Sequence, residues 1–190
     1  MKRLTPLLAL AIAAPLLSGC IGLAVTGVGT AALMADDRRT AGMYLEDENI
    51  EWKAFAKFVE SFKGSHVNAT SYNRKVLLTG EVATEDTKKA AEEAVKSIPS
   101  VREVANELAV AGNSSITSRG NDSIITSNVK ARMVGNGKFS PNHVKVVTEA
   151  GAVFLMGLVT EGEGEAAVAI ARSTSGVSRV VKVFEYVSAK

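Results

Sequence analysis

Residues 153–159 read VFLMGLV and residues 76–82 read VLLTGEV, so one seven-residue pattern occurs twice in the chain. Both copies begin and end with valine, and both carry leucine at the third position and glycine at the fifth. Short apolar runs rich in valine, bounded by turn residues, favour strands of a buried sheet. The two copies lie 77 residues apart, which indicates an internal duplication.

Other segments repeat at the same offset. The matching pairs are His66-Val67 with His143-Val144, and Lys53-Ala54 with Lys130-Ala131. After a one-residue gap, residues 100–104 resemble residues 176–180. The chain is therefore predicted to hold two copies of one small domain, at 46–110 and 122–190, joined by a polar linker at 111–121.

Each copy shows the same order of predicted elements. An amphipathic helix opens the copy, two strands follow as a hairpin, and a second helix leads to a last strand. We predict helices at about 46–63, 84–99, 123–135 and 161–174, and strands at about 66–72, 75–82, 101–110, 143–148, 152–159 and 178–187. The order α-β-β-α-β predicts an α+β fold in which two helices pack on one face of a small mixed three-stranded sheet.

The first nineteen residues are typical of a secretory signal peptide. Lys2 and Arg3 precede an apolar run at 7–17, which is too short to span a bilayer because a spanning helix needs about 20 residues. Leu17-Ser18-Gly19-Cys20 resembles the lipobox of bacterial lipoproteins, in which the cysteine sulfur takes a diacylglyceryl group after cleavage. Cys20 is the only cysteine, so it has no disulfide partner within the chain. We expect cleavage before Cys20 and lipid on its sulfur.

The residues after Cys20 carry two further expectations. Ile21 stands where an aspartate would retain an enteric-type lipoprotein in the inner membrane, so the resemblance implies the outer membrane. The glycine-rich segment at 20–45 is predicted to be the lipidated N-terminus and a tether, since its glycines weaken a helix. The alternative is a short apolar segment that lies on the membrane beside the lipid.

The repeated unit resembles the BON domain, a module of bacterial envelope proteins. The resemblance rests on the central glycine of the V-x-L-x-G-x-V strand and on the V-x-x-V start of the last strand. A lipobox followed by two such domains resembles the dual BON-domain outer-membrane lipoproteins. This resemblance implies a periplasm-facing protein that supports outer-membrane integrity, associates with the division site, binds anionic phospholipid through its second BON domain and has no catalytic activity.

The distribution of charge supports different tasks for the two domains. The whole chain has a formal net charge of +2, which is not typical of a nucleic-acid-binding protein. Residues 46–110 carry nine basic and twelve acidic side chains, whereas residues 122–190 carry eight and six. The second domain is therefore the one suited to an anionic bilayer.

The opening helix of the second domain carries the predicted lipid contacts. Its candidate residues are Ile124, Ile125, Lys130, Arg132, Met133 and Val134. An apolar stripe edged by cations suits the headgroup boundary of a bilayer. Because part of this stripe must cover the domain's own sheet, we expect contact through its edge, at Ile124, Lys130 and Val134. The family resemblance implies tryptophan at the position of Ile124, which lacks that amphipathic ring.

The sequence offers no pattern for catalysis, a cofactor or a metal. No G-x-S-x-G motif is present, and the alternating glutamates at 161–165 lack the spacing of an EF-hand loop. His66 and His143 occupy equivalent repeat positions in separate domains, so we predict surface residues and no metal site. Gly80 and Gly157 are predicted to be structural, either allowing a helix to pack closely on the sheet or marking a bulge.

An alternative function is a protein adaptor. In that hypothesis the acidic first domain recruits an envelope enzyme or assembly factor, and lipid contact is incidental. The first predicted helix carries Trp52, Phe55, Phe58 and Phe62, which is much aromatic bulk for one side of a small sheet. Core packing is the default interpretation of these side chains, and contact with the second domain is the alternative.

Overall fold

The computed structural model describes residues 37–188. The predicted signal peptide, Cys20 and the tether up to residue 36 lie outside the described residues. Within 37–188, no helix combines the length and the apolar composition that crossing a membrane requires.

The described chain contains the α-β-β-α-β order twice. The first copy consists of α1 (Ala41–Ser61), β1 (His66–Tyr72), β2 (Lys75–Val82), α2 (Glu85–Lys96), β3 (Glu103–Asn106) and β4 (Ala109–Val110). The second consists of α3 (Ile116–Val134), a 3-10 turn (Pro141–His143), β5 (Val144–Glu149), β6 (Ala152–Val159), α4 (Glu161–Arg172) and β7 (Arg179–Tyr186). The predicted α+β fold is confirmed.

Each copy forms its own mixed sheet with the glycine-containing strand in the centre. In the first sheet β2 pairs antiparallel with β1 and parallel with both β3 and β4. In the second, β6 pairs antiparallel with β5 and parallel with β7. The last strand of the first copy is thus divided in two, whereas its counterpart β7 is continuous. The outer strands β1 and β5 are left at sheet edges.

Both opening helices begin earlier than the sequence predicts. Thr40 caps α1 and Ser115 caps α3, because each side-chain oxygen accepts a hydrogen bond from the backbone N–H three residues later. Helix α1 therefore takes in five residues of the predicted tether, and α3 takes in most of the predicted linker. Residues 116–121 of the predicted polar linker are therefore helical.

The offset between equivalent residues of the two opening helices differs from the predicted offset of 77. The buried residues of α1 are Asp47, Ile50, Ala54 and Phe58, and those of α3 are Asp122, Ile125, Val129 and Met133. These two sets are related by an offset of 75, not 77. The match of Lys53-Ala54 with Lys130-Ala131 therefore does not mark equivalent positions, since the second copy has two more residues between helix and strand.

Gly80 and Gly157 are structural, as predicted, because neither position has space for a side chain. A Cβ on Gly80 would lie 1.9 Å from the carbonyl oxygen of His66, and one on Gly157 would lie 2.2 Å from that of His143. The close neighbour is therefore a backbone carbonyl at or just before the start of the adjoining strand, and not a helix, which was one of the two predicted causes. Gly80 also has φ +113°, a conformation that side chains disfavour.

The two sheets pack against each other through the faces that the helices leave uncovered. A buried cluster joins side chains of both copies: Tyr72, Leu77, Ala152, Phe154, Met156 and Val183. The neighbouring strand residues Val76 and Leu78 point the other way, into the core beneath α1 and α2. The central strand β2 is thus apolar on both faces because both faces are covered.

Candidate functional site

The outer face of α3 carries the exposed part of the predicted lipid-contact surface. Ile124 is 61% exposed and Val134 is 72% exposed, and Lys130 is also exposed. The earlier start of α3 adds Ile116, which is 85% exposed. Ile116 and Val134 are five full turns apart and so point in the same direction, and Ile124 points about 80° away from them, so the three lie on one side of the helix. We name Ile116, Ile124, Lys130 and Val134 the α3 outer face.

Two of the predicted lipid contacts belong to the core instead. Ile125 is 2% exposed and Met133 is 1% exposed, and both pack in the hydrophobic core of the second domain. Their prediction as lipid contacts is wrong, because neither side chain reaches the surface. The sequence predicted that lipid contact uses the edge of the apolar stripe. The structure agrees with this to the extent that Ile124 is exposed and its neighbour Ile125 is buried.

Arg132 joins the two helices of the second domain. Its guanidinium donates hydrogen bonds to Thr174 Oγ1 at 2.9 Å and Ser173 Oγ at 3.0 Å, beyond the end of α4. The residue remains exposed, so its charge still adds to the potential of this surface. Its donors are partly engaged, however, which leaves Lys130 as the better candidate for direct contact with a phosphate.

The equivalent face of α1 is aromatic. Trp52 is 69% exposed and Phe55 is 58% exposed, and the two rings meet edge to face with centroids 6.1 Å apart. Both side chains are largely exposed, so the core-packing interpretation is wrong for these two residues. Phe58 is buried and Phe62 packs against the same core, as the core-packing interpretation predicts. Trp52, Phe55 and Val59 are named the α1 outer face.

A groove runs beside the α1 outer face. Its volume is about 400 Å³, and it lies between α1 and the edge strand β1. Trp52, Phe55 and Phe58 supply its apolar wall, and Glu48 and Glu51 supply carboxylates. An aromatic wall, the carboxylate of Glu48 and an edge strand are features that suit an extended peptide with a basic side chain, whereas Glu51 already accepts from Lys145 and the Ser71 N–H.

Charged pairs link the two domains around the shared apolar cluster. Lys145 of the second domain lies 2.8 Å from Glu51 of α1 and also donates to the carbonyl of Ser71. Arg102 of the first domain pairs with Glu185 of β7. This bond is the main cause of the lowered pKa of Glu185 and of the raised pKa of Arg102. Oppositely charged side chains of the two domains thus pair at the junction, in both directions.

The segment before α1 contacts both domains. Arg39 lies over the ring of Tyr72 at 3.9 Å and pairs with Asp47 at 2.9 Å, both in the first domain. Arg38 pairs with Glu163 of the second domain at 2.7 Å. Burial alone would raise the pKa of Glu163, but hydrogen bonds from Arg38 and from Thr160 lower it to about 2.

A partly buried cluster at the domain junction contains His66, Glu81 and Glu149. His66 Nδ1 lies 3.0 Å from Glu81 Oε2 and 3.8 Å from Glu149 Oε1. Burial raises the pKa of Glu149, and the nearby carboxylates of Glu81 and Asp122 add to that increase. His66 and His143 are both partly buried and near carboxylates, so the prediction that they are surface residues is wrong. Sequence reasoning missed this cluster because its members come from three strands and two domains.

Residues 46–112 and 121–188 match the sequence profile of the family described as BON domain. The chain belongs to the BON-domain family. The two matches coincide with the two copies of the α-β-β-α-β unit, so the internal repeat is a pair of BON domains.

Three relatives place the chain more closely. It is 41% identical to "Outer membrane lipoprotein DolP" of Haemophilus influenzae, over 96% of this chain and 98% of the relative. It is 32% identical to the "21 kDa hemolysin" of Actinobacillus pleuropneumoniae, over 80% and 79%. It is 28% identical to "Osmotically-inducible protein Y" of Escherichia coli, over 73% and 72%. The chain is thus a DolP-like member of the BON-domain family.

Proposed function

We propose that this protein is a non-enzymatic outer-membrane lipoprotein that binds anionic phospholipid through the α3 outer face. Lipid on Cys20 anchors the chain on the periplasmic side, and the second BON domain contacts the bilayer surface. Through this contact the protein helps to maintain outer-membrane integrity and is linked to the division site. The proposed lipidation and location are supported by the lipobox-like sequence and by similarity to the DolP relative, which is an outer-membrane lipoprotein.

The observation that carries the lipid proposal is the exposure of the α3 outer face. Ile116, Ile124 and Val134 are large apolar side chains in water, and Lys130 stands beside them on a domain with net charge +2. An exposed apolar stripe with an adjacent cation can enter the headgroup region while the cation meets lipid phosphate. Each basic side chain near an anionic surface contributes about 1 kcal/mol.

Vesicle binding tests the proposal directly. The mature chain carrying Cys20→Ser, which removes the anchor, is sedimented with phosphatidylglycerol vesicles and with neutral phosphatidylcholine vesicles. We expect binding to the anionic vesicles alone, and Lys130→Glu should weaken it on the order of tenfold, since it replaces an attraction with a repulsion.

The matched control is Lys182→Glu, which makes the same charge change at an exposed position of β7. It should weaken binding clearly less than Lys130→Glu, because it lies outside the α3 outer face. Equal binding to neutral and anionic vesicles, or equal losses in the two variants, would contradict lipid recognition by this surface.

The adaptor hypothesis is a second candidate, and the α1 outer face favours it. Trp52 and Phe55 expose aromatic rings beside a groove with two carboxylates. Aromatic side chains are common where a few residues dominate protein binding. Trp52→Ser should leave vesicle binding unchanged if α1 serves a protein partner. If Trp52→Ser removes vesicle binding and Ile124→Ser does not, the lipid surface lies on α1 and our assignment to α3 is wrong.

A further inference from the structure

The cluster of His66, Glu81 and Glu149 has the composition of a cation site. It offers one imidazole nitrogen and two carboxylate oxygens, and these three atoms all lie within 4.8 Å of one another. His66 opens β1 and Glu81 lies directly opposite it on β2, while Glu149 ends β5 in the other domain. The lipid and adaptor proposals use none of these residues.

The spacing of the ligand atoms suits zinc. Zinc binds histidine nitrogen and carboxylate oxygen at about 2.0–2.2 Å in tetrahedral geometry, which places neighbouring ligand atoms about 3.3 Å apart. The observed separations from His66 Nδ1 are 3.0 Å to Glu81 and 3.8 Å to Glu149, on either side of that value. A small rotation of the Glu149 side chain would complete three ligands without moving a strand.

Neighbouring groups already orient these ligands. The backbone N–H of Ser114 donates to Glu81 Oε2 at 3.1 Å. The amide of Asn68 lies 3.1 Å from His66 Nε2 and 3.5 Å from Glu149 Oε2. When Nδ1 binds a cation, Nε2 carries the proton, and the Asn68 amide can turn its oxygen to accept it. Such partners of ligand side chains commonly strengthen metal binding by tenfold or more.

An open groove leads to the cluster and leaves room for a fourth ligand. It is lined by His66, Asn68 and Glu149, and on the α3 side by Arg119 and Ser123. Glu81 is buried at 5% exposure, whereas His66 and Glu149 are only partly buried. His66 and Glu149 therefore face the groove, and water from it can supply the open position, as in zinc sites with three protein ligands.

We propose that His66, Glu81 and Glu149 bind a divalent transition-metal cation, with zinc as the best fit. Two ligands come from the first BON domain and one from the second, so the bound cation joins the domains. Its two positive charges offset the two carboxylates that the fold holds close together. Nitrogen in the ligand set favours zinc over magnesium and calcium, which prefer sets made of oxygen alone.

Thermal unfolding with and without metal tests this proposal. The mature chain carrying Cys20→Ser, so that no thiol competes, is unfolded in EDTA and in a series of Zn²⁺ concentrations. At 100-fold excess over the dissociation constant, we expect Zn²⁺ to raise Tm by about 5 °C or more. Co²⁺ should give visible absorption bands of a low-coordinate site, and Ca²⁺ should give no shift.

Variants from both domains assign the ligands. His66→Ala and Glu149→Gln should each lose the Zn²⁺-dependent rise and the Co²⁺ bands. Glu149→Gln keeps an oxygen for Asn68, so it should stay folded even if His66→Ala does not. The control is His143→Ala, which removes the histidine at the equivalent position of the second domain and should keep both signals.

Several outcomes would overturn the proposal. One is a wild-type chain whose Tm is unchanged by Zn²⁺. Another is an equal rise in Glu149→Gln, which would place the cation elsewhere. A rise with Ca²⁺ as large as that with Zn²⁺ would also contradict a nitrogen-containing site.

Discussion

At the scale of single residues, two glycines set how closely the hairpin strands approach. Gly157 faces the carbonyl of His143 and Gly80 faces that of His66, in the same register of the two sheets. The seven-residue pattern alone indicated that these glycines are structural. The identity of the neighbour could not be predicted, because it depends on the pairing of strands whose register the sequence does not state.

The first prediction concerns Gly157. Gly157→Val should prevent the second domain from folding, because a Cβ would overlap a backbone oxygen that cannot move away without breaking the sheet. Gly162→Ala is the control, since nothing lies within 4 Å of a Cβ there and the residue is in α4. It should be neutral or stabilising by about 0.5–1 kcal/mol. Urea unfolding measures both, and a wild-type midpoint for Gly157→Val would contradict the account.

The predicted lipid-contact residues show which question about single residues the sequence could not decide. Ile124 and Ile125 are identical and adjacent, so composition gives no reason to prefer one of them for the surface. Which isoleucine is exposed depends on the rotation of α3 about its own axis. The face turned toward the sheet carries the buried residues Asp122, Ile125, Val129 and Met133. Helical periodicity favoured the edge residues Ile124, Lys130 and Val134, which are exposed, but it could not exclude Ile125 and Met133, which are buried.

At the scale of elements, the helix starts depend on capping side chains. Thr40 and Ser115 were not recognised in the sequence because they lie in segments rich in small polar residues that resemble a tether and a linker. Helix α4 shows the complete reciprocal arrangement, in which Thr160 accepts from the Glu163 N–H and Glu163 accepts from the Thr160 N–H. The glutamates of residues 161–165 were correctly expected at a helix start.

The second prediction concerns acid. The pKa of Glu163 is lowered from 4.5 to about 2 in the folded chain, so the unfolded chain binds the extra proton first as pH falls. The stability that Glu163 contributes is complete above about pH 4.5 and is lost as the pH falls toward 2. Glu163→Gln should therefore lower Tm at pH 6 and make much less difference near pH 2.5.

Arg38→Ala serves as the partner variant for this prediction. This variant removes the principal hydrogen-bond donor that lowers the pKa of Glu163. The decrease in Tm that it causes should therefore also become smaller as the pH falls. Glu161→Gln, at an exposed position of the same helix turn, is the control. If Glu163→Gln lowers Tm by the same amount at both pH values, the charge of the carboxylate is not what stabilises this segment.

At the scale of the whole molecule, the two BON domains share one apolar cluster between their sheets. The runs VLLTGEV and VFLMGLV lack strict alternation, and such runs are typical of strands buried on both faces. The sequence therefore contained the signal that a second layer covers each sheet. The sequence could not show what covers these faces, because each sheet is covered by the other domain and not by a segment next to it in the chain.

The third prediction follows from this shared cluster. The wild-type chain should unfold in a single transition, and Met156→Glu should separate the two domains into two transitions. Met156 is 1% exposed in the cluster, and Lys145, opposite it on β5, is already paired with Glu51, so burying a carboxylate there would cost several kcal/mol. Ile116→Glu is the control, because Ile116 is 85% exposed. A single unchanged transition for Met156→Glu would contradict cooperative packing of the sheets.

The division of tasks between the domains also belongs to this scale. The acidic first domain and the basic second domain meet through pairs such as Lys145 with Glu51, so part of their charge difference stabilises the junction. The α3 outer face lies apart from these pairs and keeps Lys130 exposed. The junction thus holds the domains together, whereas the proposed lipid surface on α3 and the exposed aromatic side chains of α1 lie outside the shared apolar cluster.

The measurement that tests the central claim most directly is NMR shift perturbation of the full mature chain by anionic micelles. The account predicts the largest changes along the α3 outer face, at Ile116, Ile124, Lys130 and Val134, and little change at Ile125 or in β6. Changes concentrated on Trp52 and its neighbours in α1, with α3 unaffected, would contradict it.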